Sequence, residues 1–353
     1  MSISLHFSHL HSARICAELA IFINWQKPLS IMKLKGKRIF ITGGAGFIGT
    51  HFIERVIDDN EIIIFDNFHR NALKYTKLEK HKNLKLVKGD VLDSSAIEKS
   101  MDRPDIVVHM AAIAGVGTVV SKPTTTLKIN LIGTYNVLES CRKKKVKRFL
   151  GFSTSEVYGP LIYQADESGM TTLGPIGKPR WVYAMSKLAS EFLADSYHRE
   201  YGIKFTSVRP FNIYGPGQIG EGAIHNFIIK ALKNEPLTVH EPGSQVRSWC
   251  YIDDMADALV KILENNSSEG EVFNIGNPQA TSTTLQTAET IIRLANSKSK
   301  IEFKKLEYPE VDIRVPSIDK ARRILGFRPK VGFEEGIKKT LDWYRNMPKS
   351  NLA

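Results

Sequence analysis

Cysteine is scarce and irregularly placed in this chain: three residues in 353, Cys16, Cys141 and Cys250, with no C-x-x-C spacing. That pattern argues against a disulfide framework or a thiolate zinc site, and it fits inert thiols in a reducing, cytoplasmic setting. Long apolar runs are missing as well. Ile15 to Trp25 is too short to cross a bilayer and carries Glu18, and the residues before it are rich in His and Ser rather than Lys, which makes a weak signal peptide. No internal repeat or low-complexity tract occurs. Acidic residues are the minority, 37 against 49 basic ones, for a net charge of +12. Such an excess suits an anionic partner without choosing among nucleic acid, membrane surface and phosphorylated small molecule. The densest basic run, Arg142 to Lys145 with Lys147 and Arg148, lies between a helical pattern and a strand and reads as a solvated turn. No nucleic-acid motif accompanies it, so neither nucleic acid nor membrane is expected as a partner.

What is present is a globular composition, 42% hydrophobic and 24% charged, on a chain longer than one core usually serves. Residues 1–36 differ from the rest and are expected to be a flexible extension. Met32 is the expected start, because MKLKGKRIFITGG begins a strand almost at once. From Lys37 onward, apolar runs of strand length alternate with segments of helical period. Strands are predicted at Arg38 to Thr42, Glu61 to Phe65, Leu84 to Val87, Ile106 to His109, Arg148 to Phe152 and Phe205 to Val208, and helices at Phe47 to Val56 and Thr134 to Lys143. Continuous apolar strands separated by helices predict an α/β fold with a doubly wound parallel sheet, a Rossmann domain.

After Pro210 the texture loosens. Helices are predicted at Ala223 to Lys233, Asp253 to Leu263 and Phe333 to Tyr344, extended chain at Leu237 to His240 and Val272 to Ile275, a capping box at Thr283-x-x-Gln286 opening Leu285 to Ala295, and a short helix from Ser317 ended by Gly326. The expected division is a Rossmann domain at 37–210 and 251–278, a smaller interleaved α/β substrate domain at 211–250 and 279–346, and a tail at 347–353.

Thr42-Gly43-Gly44-Ala45-Gly46-Phe47-Ile48-Gly49 follows the first strand and opens a helix, so backbone at Gly43, Gly46, Phe47 and Ile48 can approach a pyrophosphate at the helix N-terminus. The second strand ends in Ile64-Phe65-Asp66-Asn67, where the Asp66 carboxylate can hold both adenosine ribose hydroxyls. A 2′-phosphate would meet that charge, which favours NAD over NADP, although Arg70 nearby keeps NADP open. Asp90-Val91 after the third strand and Ala111-Ala112 after the fourth fit the same cofactor groove. Individually these are turn or packing residues; their positions relative to the strands give them weight.

Tyr183 and Lys187 stand four residues apart, hence on one helix face. The lysine charge and a nicotinamide cation together would lower the phenol pKa and let Tyr183 act as a base on a hydroxyl. Phe152-Ser153-Thr154-Ser155-Glu156-Val157-Tyr158-Gly159 leaves the fifth strand with four polar residues in succession, which alone would be a turn.

Taken together, the glycine fingerprint, Asp66, the Ser-Thr-Ser-Glu-Val-Tyr-Gly segment and Tyr183-x-x-x-Lys187 resemble the extended short-chain dehydrogenase/reductase family of nucleotide-sugar enzymes, over Lys37 to Tyr344. The resemblance implies that Tyr183 removes the sugar C4 hydroxyl proton, Thr154 assists, Lys187 also holds the nicotinamide ribose, and hydride passes to NAD and can return. It also implies a homodimer through the Tyr183 helix and the helix before the fifth strand. Arg209-Pro210-Phe211-Asn212-Ile213-Tyr214-Gly215-Pro216 resembles the segment whose asparagine contacts the diphosphate, and Arg247 resembles the arginine that pairs with it. No metal is implied.

Ser155-Glu156 departs from the small residues of plain 4-epimerases. In 4,6-dehydratases the corresponding Glu removes a C5 proton, but its partner there is typically an Asp rather than Ser155. Thr-Ser-Glu more closely resembles UDP-glucuronate decarboxylases, including the oxidative type of lipid A modification, as does Gly174-Pro175-x-x-Lys178-Pro179-Arg180-Trp181-x-Tyr183. Arg314 matches an arginine used near the carboxylate. The expected function is NAD-dependent conversion of a nucleotide sugar, UDP-linked, through a 4-keto intermediate, with decarboxylation of UDP-glucuronate first; dehydration of an NDP-hexose, 4-epimerisation, and a non-catalytic NAD sensor are the alternatives.

Overall fold

A computed structural model describes residues 33–305 and 311–347. Cys16, most of the expected extension and nearly all of the expected tail lie outside the described residues. In chain order the strands are Arg38–Thr42 (β1), Glu61–Asp66 (β2), Leu84–Lys88 (β3), Ile106–His109 (β4), Arg148–Phe152 (β5), Leu161–Ala165 (β6), Lys204–Pro210 (β7), Ile213–Tyr214 (β8), Leu237–His240 (β9), Val246–Ser248 (β10), Cys250–Tyr251 (β11), Glu271–Ile275 (β12), Thr281–Thr283 (β13), Ile301–Lys304 (β14) and Ile313–Pro316 (β15).

The main sheet has seven strands in the order β12-β7-β5-β4-β1-β2-β3, all parallel. Alternate residues of one strand must face opposite sides of a sheet. Here both sides are apolar: Ile39 and Ile41 of β1, Ile62 and Ile64 of β2 and Val108 of β4 join one buried cluster, while Phe40, Ile63, Phe65 and Val107 join another. That double burial is why these strands read as unbroken apolar runs. Chain order reverses between β1 and β4, so the ligand crevice of a doubly wound sheet opens at their carboxyl ends.

The helix Phe47–Val56 leaves β1 and packs beside Ile252–Glu264, where Arg55 reaches Asp253 and Asp257 at 2.7 Å each. The capping box is present: the Gln286 amide donates to the Thr283 hydroxyl and the Thr283 amide to the Gln286 side chain, both at 3.0 Å. The short helix expected from Ser317 begins at Asp319, with Ile318 at its N-terminal boundary and the Ser317 hydroxyl accepting from the Asp319 amide at 3.3 Å in a local turn, and it ends at Gly326 in the left-handed conformation.

A second sheet, β13-β10-β15-β6, went unread in the sequence. Its strands are three to five residues long and come from four separate parts of the chain, so they carry little pattern. β6 falls inside the 37–210 span yet pairs with β15 and so belongs to the second sheet. Among the described residues no helix is long and apolar enough to cross a membrane.

Candidate active site

A groove runs along the carboxyl ends of the main sheet as two adjoining cavities of about 300 and 360 Å³, which share Gly43, Gly46, Arg70, Met110, Ala112 and Ala114. Gly43, Gly46, Asp66, Asn67, Asp90, Val91, Ala111 and Ala112 line the first; Phe47, Ile48, Thr154, Ser155, Glu156, Tyr183, Lys187, Asn212 and Arg314 line the second. All but one of the residues expected at the site therefore border one groove. Arg247 does not line either cavity. It sits opposite Arg314 in the β10–β15 pairing, and its guanidinium donates to the carbonyls of Val246 at 3.0 Å and Asp312 at 3.5 Å. The Asn212 amide donates to the Ser248 carbonyl at 2.9 Å, which ties it to β10.

At the first end the walls are largely backbone. Gly43 has φ +72, and a Cβ there would lie 2.5 Å from the Ala111 nitrogen. A Cβ on Gly49 would lie 2.5 Å from the Gly44 carbonyl oxygen, so the turn and the helix can close only on glycine. The Asp66 carboxylate accepts from the Ala45 amide at 3.1 Å and the Phe68 amide at 2.8 Å. Burial raises its pKa, partly offset by these amides and that of Asn67. The site fits NAD: glycines leave room for a pyrophosphate, a carboxylate faces the ribose position, and the buried Ser153 hydroxyl beside the second cavity has no hydrogen-bond partner among the described residues.

Two further residues border this groove, Glu221, which the sequence did not mark, and Arg70, which it placed near the cofactor. Glu221 accepts from the Gly117 amide at 2.7 Å, the Thr118 amide at 3.0 Å and the Thr118 hydroxyl at 2.6 Å, so the 215–222 loop is fastened to the helix Val116–Ser121 across the opening. Arg70 lies against Gly220 of the same loop, where a Cβ would come 2.8 Å from its guanidinium carbon.

The other end is charged and buried. Thr154 caps the turn Ser155–Tyr158, its hydroxyl accepting from the Glu156 amide at 3.2 Å, so the polar run is a turn and also the wall of the site. The Glu156 carboxylate is held by Arg180, whose Nη1 lies 3.1 Å from both oxygens, and by Arg314 at 3.4 Å. Burial alone would raise the Glu156 carboxyl, but the charges of Arg314 and Arg180 outweigh it and hold the pKa below the usual range. So paired, Glu156 is a weak proton acceptor, contrary to the role open to it in a dehydratase. Arg180 was not singled out from the sequence, although it stands inside the quoted Gly174-to-Tyr183 stretch.

Tyr183 and Lys187 are side by side on the helix Val182–Tyr201. Burial, then the charge of Glu156, pushes the Tyr183 phenol well above its ordinary value, against the pull of a hydrogen bond with Thr154 and the charge of Arg314. Burial likewise lowers the Lys187 ammonium to about 8, opposed by Glu191. The sequence reading expected a phenol acidified by Lys187; without a bound cation, desolvation wins. The helix is fixed from behind, since Glu191 takes a two-pronged bond from Arg209 (2.9 and 2.7 Å) and Arg209 also donates to the Tyr158 hydroxyl at 2.7 Å.

A family model described as the NAD dependent epimerase/dehydratase family matches residues 39–276. UDP-glucuronic acid decarboxylase 3 of Arabidopsis thaliana is 38% identical over 322 residues, 89% of this chain and 91% of the relative. UDP-N-acetyl-alpha-D-glucosaminuronate decarboxylase of Bacillus cytotoxicus is 35% identical over 322 residues, 88% of this chain and 98% of the relative. Among solved structures, UDP-glucuronic acid 4-epimerase from Bacillus cereus, in complex with UDP-glucuronic acid and NAD, aligns with a TM-score of 0.80 at 28% identity, over 87% of this chain and 99% of that one.

Proposed function

The chain belongs to the NAD-dependent epimerase/dehydratase family, and from that membership we propose that this NAD-dependent nucleotide-sugar enzyme decarboxylates UDP-glucuronate through a 4-keto intermediate. The observation that carries the reading is the cationic character of the sugar end: the buried guanidiniums of Arg180 and Arg314 both meet the Glu156 carboxylate, and Arg314 lines the cavity itself. A sugar with a C6 carboxylate offers Arg314 a forked anionic partner; a neutral hexose does not. The relatives named above are enzymes of uronic acid nucleotides, two of them decarboxylases.

NAD, when bound, supplies the hydride acceptor for C4 and a positive charge beside Tyr183 and Lys187. Asp66 holds the adenosine ribose, and the backbone at Gly43 and Gly46 admits the pyrophosphate. Tyr183 takes the C4 hydroxyl proton at its phenol oxygen, with Thr154 sharing the hydrogen bond and Lys187 favouring the phenolate. With C4 a ketone, the C5–C6 bond breaks, carbon dioxide leaves, and the electron pair of that bond forms an enolate whose oxygen accepts hydrogen bonds from Tyr183 and Thr154 until C5 takes up a proton from water and the 4-ketone is restored. Arg314 orients the departing carboxylate. Asn212 is read as a diphosphate contact; the same role for Arg247 requires its side chain to turn from its carbonyl partners.

The Rossmann part is taken as 37–210 and 251–278 without the β6 segment, which goes to the substrate part with 211–250 and 279–346. A cytoplasmic homodimer fits the exposed apolar side chains Ile132, Tyr135, Met185, Phe192 and Tyr201 on and beside the helices Gly133–Lys143 and Val182–Tyr201. Sedimentation at micromolar concentration should give a dimer, and a monomer would remove that assignment.

The test of the reaction is product mass after separate incubation with UDP-glucuronate, UDP-glucose, UDP-N-acetylglucosamine and dTDP-glucose. Loss of carbon dioxide from UDP-glucuronate is expected. Loss of water from a neutral hexose, or unchanged mass with altered chromatography, would replace decarboxylation by dehydration or epimerisation.

A further inference from the structure

The two arginines at the sugar end are not equivalent. Arg180 is 4% exposed and contacts both Glu156 oxygens at 3.1 Å, while Arg314 reaches one of them at 3.4 Å. They also differ in mounting. Arg180 sits on the single turn Pro179–Trp181 that runs straight into the Tyr183 helix, and the Trp181 ring of that turn packs so closely on Gly174 that no Cβ fits there. Arg314 comes from β15 of the second sheet. The Arg180 Nε is buried and has no hydrogen-bond partner among the described residues, so the cluster has donors to spare.

We propose that Arg180 is a positioning residue: it keeps Glu156 ionised and in place, so that Arg314 can turn from Glu156 to the carboxylate of the bound sugar. The assignment rests on the reading of the substrate as a UDP-hexuronate. Its physical logic is charge balance. If Arg314 left Glu156 with no other cation present, a buried carboxylate would stand unpaired beside a second carboxylate, and one of the two would take up a proton. With Arg180 fixed in place, Glu156 keeps a cationic partner when Arg314 moves. The same contact links Glu156 to the catalytic base, because Arg180 precedes Tyr183 by three residues on a continuous backbone.

Among the described residues the charged and titratable groups facing Glu156 are Arg180 on the 179–181 turn, Arg314 on β15, and Tyr183 at the head of its helix. Removing Arg180 takes away one of two cations that hold a buried carboxyl down, so the Glu156 pKa must rise. Activity that requires the Glu156 anion is then lost at higher pH as the solution is acidified.

The experiment compares wild type, Arg180→Met, Arg180→Gln, Arg180→Lys, Arg314→Met and Glu156→Gln as full-length enzymes, with NAD retention and thermal melting confirming the folded state. The readouts are kcat and KM against pH with UDP-glucuronate. Arg180→Met and Arg180→Gln should move the acid limb of kcat upward by about 1–3 pH units and change KM less than about threefold. Arg180→Lys should restore most of the shift, and in a Glu156→Gln background the residue-180 effect on the limb should vanish. Arg314→Met should instead raise KM for the hexuronate by about tenfold or more. An unmoved acid limb in both neutral variants overturns the proposal. So does a raised KM with unchanged kcat, which would make Arg180 a direct substrate ligand. Should wild type leave UDP-glucuronate intact, the substrate reading fails by itself, and the same comparison on whichever UDP-sugar is turned over decides whether Arg180 positions Glu156.

Discussion

At the cofactor end of the groove the walls are mostly backbone and small residues with the carboxylates of Asp66 and Asp90, whereas at the sugar end they include polar and charged side chains from three separate stretches of chain: 154–156, 183–187 and 314. The first end is specified locally. A strand, a glycine turn and a helix follow one another within about a dozen residues, and the fold of that segment is itself the binding surface. The second end exists only when the second sheet brings β15 against β6 and so sets Arg314 beside the 155–158 turn. Changes at the cofactor end should therefore act through shape, and changes at the sugar end through charge.

The largest effect is expected from the chemistry itself. Tyr183→Phe should lower the rate by about a hundredfold or more while NAD stays bound, read as turnover against retained cofactor; equal turnover would remove the assignment. Gly43→Ala should break the cofactor end by shape alone, because its Cβ would press on the Ala111 backbone from a φ of +72. A loss of about tenfold or more in NAD affinity is expected by titration, and unchanged affinity would show that the loop yields.

Glu221→Ala should sharpen the comparison, since Glu221 stands at the edge of the second cavity and fastens the 215–222 loop to Gly117 and Thr118, away from the glycine turn and the Glu156 cluster. NAD release should quicken on the order of threefold in a chase experiment, the scale of weakly held exposed hydrogen bonds. Unchanged release would mean the loop does not gate the groove.

Lys187→Met tests the desolvation at the sugar end in the cofactor-free protein. The folded-state pKa of Lys187, about 8, lies below its ordinary 10.5, so the unfolded chain binds the proton more tightly and burial of the ammonium destabilises the fold most fully below about pH 8. The variant should therefore melt higher at pH 7, by roughly 1–3 kcal/mol, and the gain should fade as pH rises from 8 to 10.5. A variant that melts lower at pH 7 would show that Lys187 is held by favourable contacts rather than tolerated.

This division also explains what the sequence disclosed. The parallel sheet was legible because both its faces are buried, so β1, β2 and β4 carry unbroken apolar runs. Thr283 and Gln286 announced their helix because a capping box is local. The second sheet was not, because three- to five-residue strands such as Val246–Ser248 gain their apolar setting only from partners far along the chain. For the same reason Glu156, Tyr183 and Arg314 were each recognised by motif, while their mutual arrangement was not: Glu156 looked like an available base and lies between two guanidiniums. Arg180 is the sharpest case, since one arginine before a helix has no spacing that marks it, and its meaning comes wholly from Glu156 across the fold.

The central claim is that this cationic sugar end acts on a C6 carboxylate. It is tested most directly by incubating the enzyme with UDP-glucuronate labelled with carbon-13 at C6 and following the label by NMR. The account predicts that the label leaves the sugar and appears as carbon dioxide and bicarbonate, at a rate that Tyr183→Phe abolishes. Label that stays at C6 while another nucleotide sugar is turned over would contradict it.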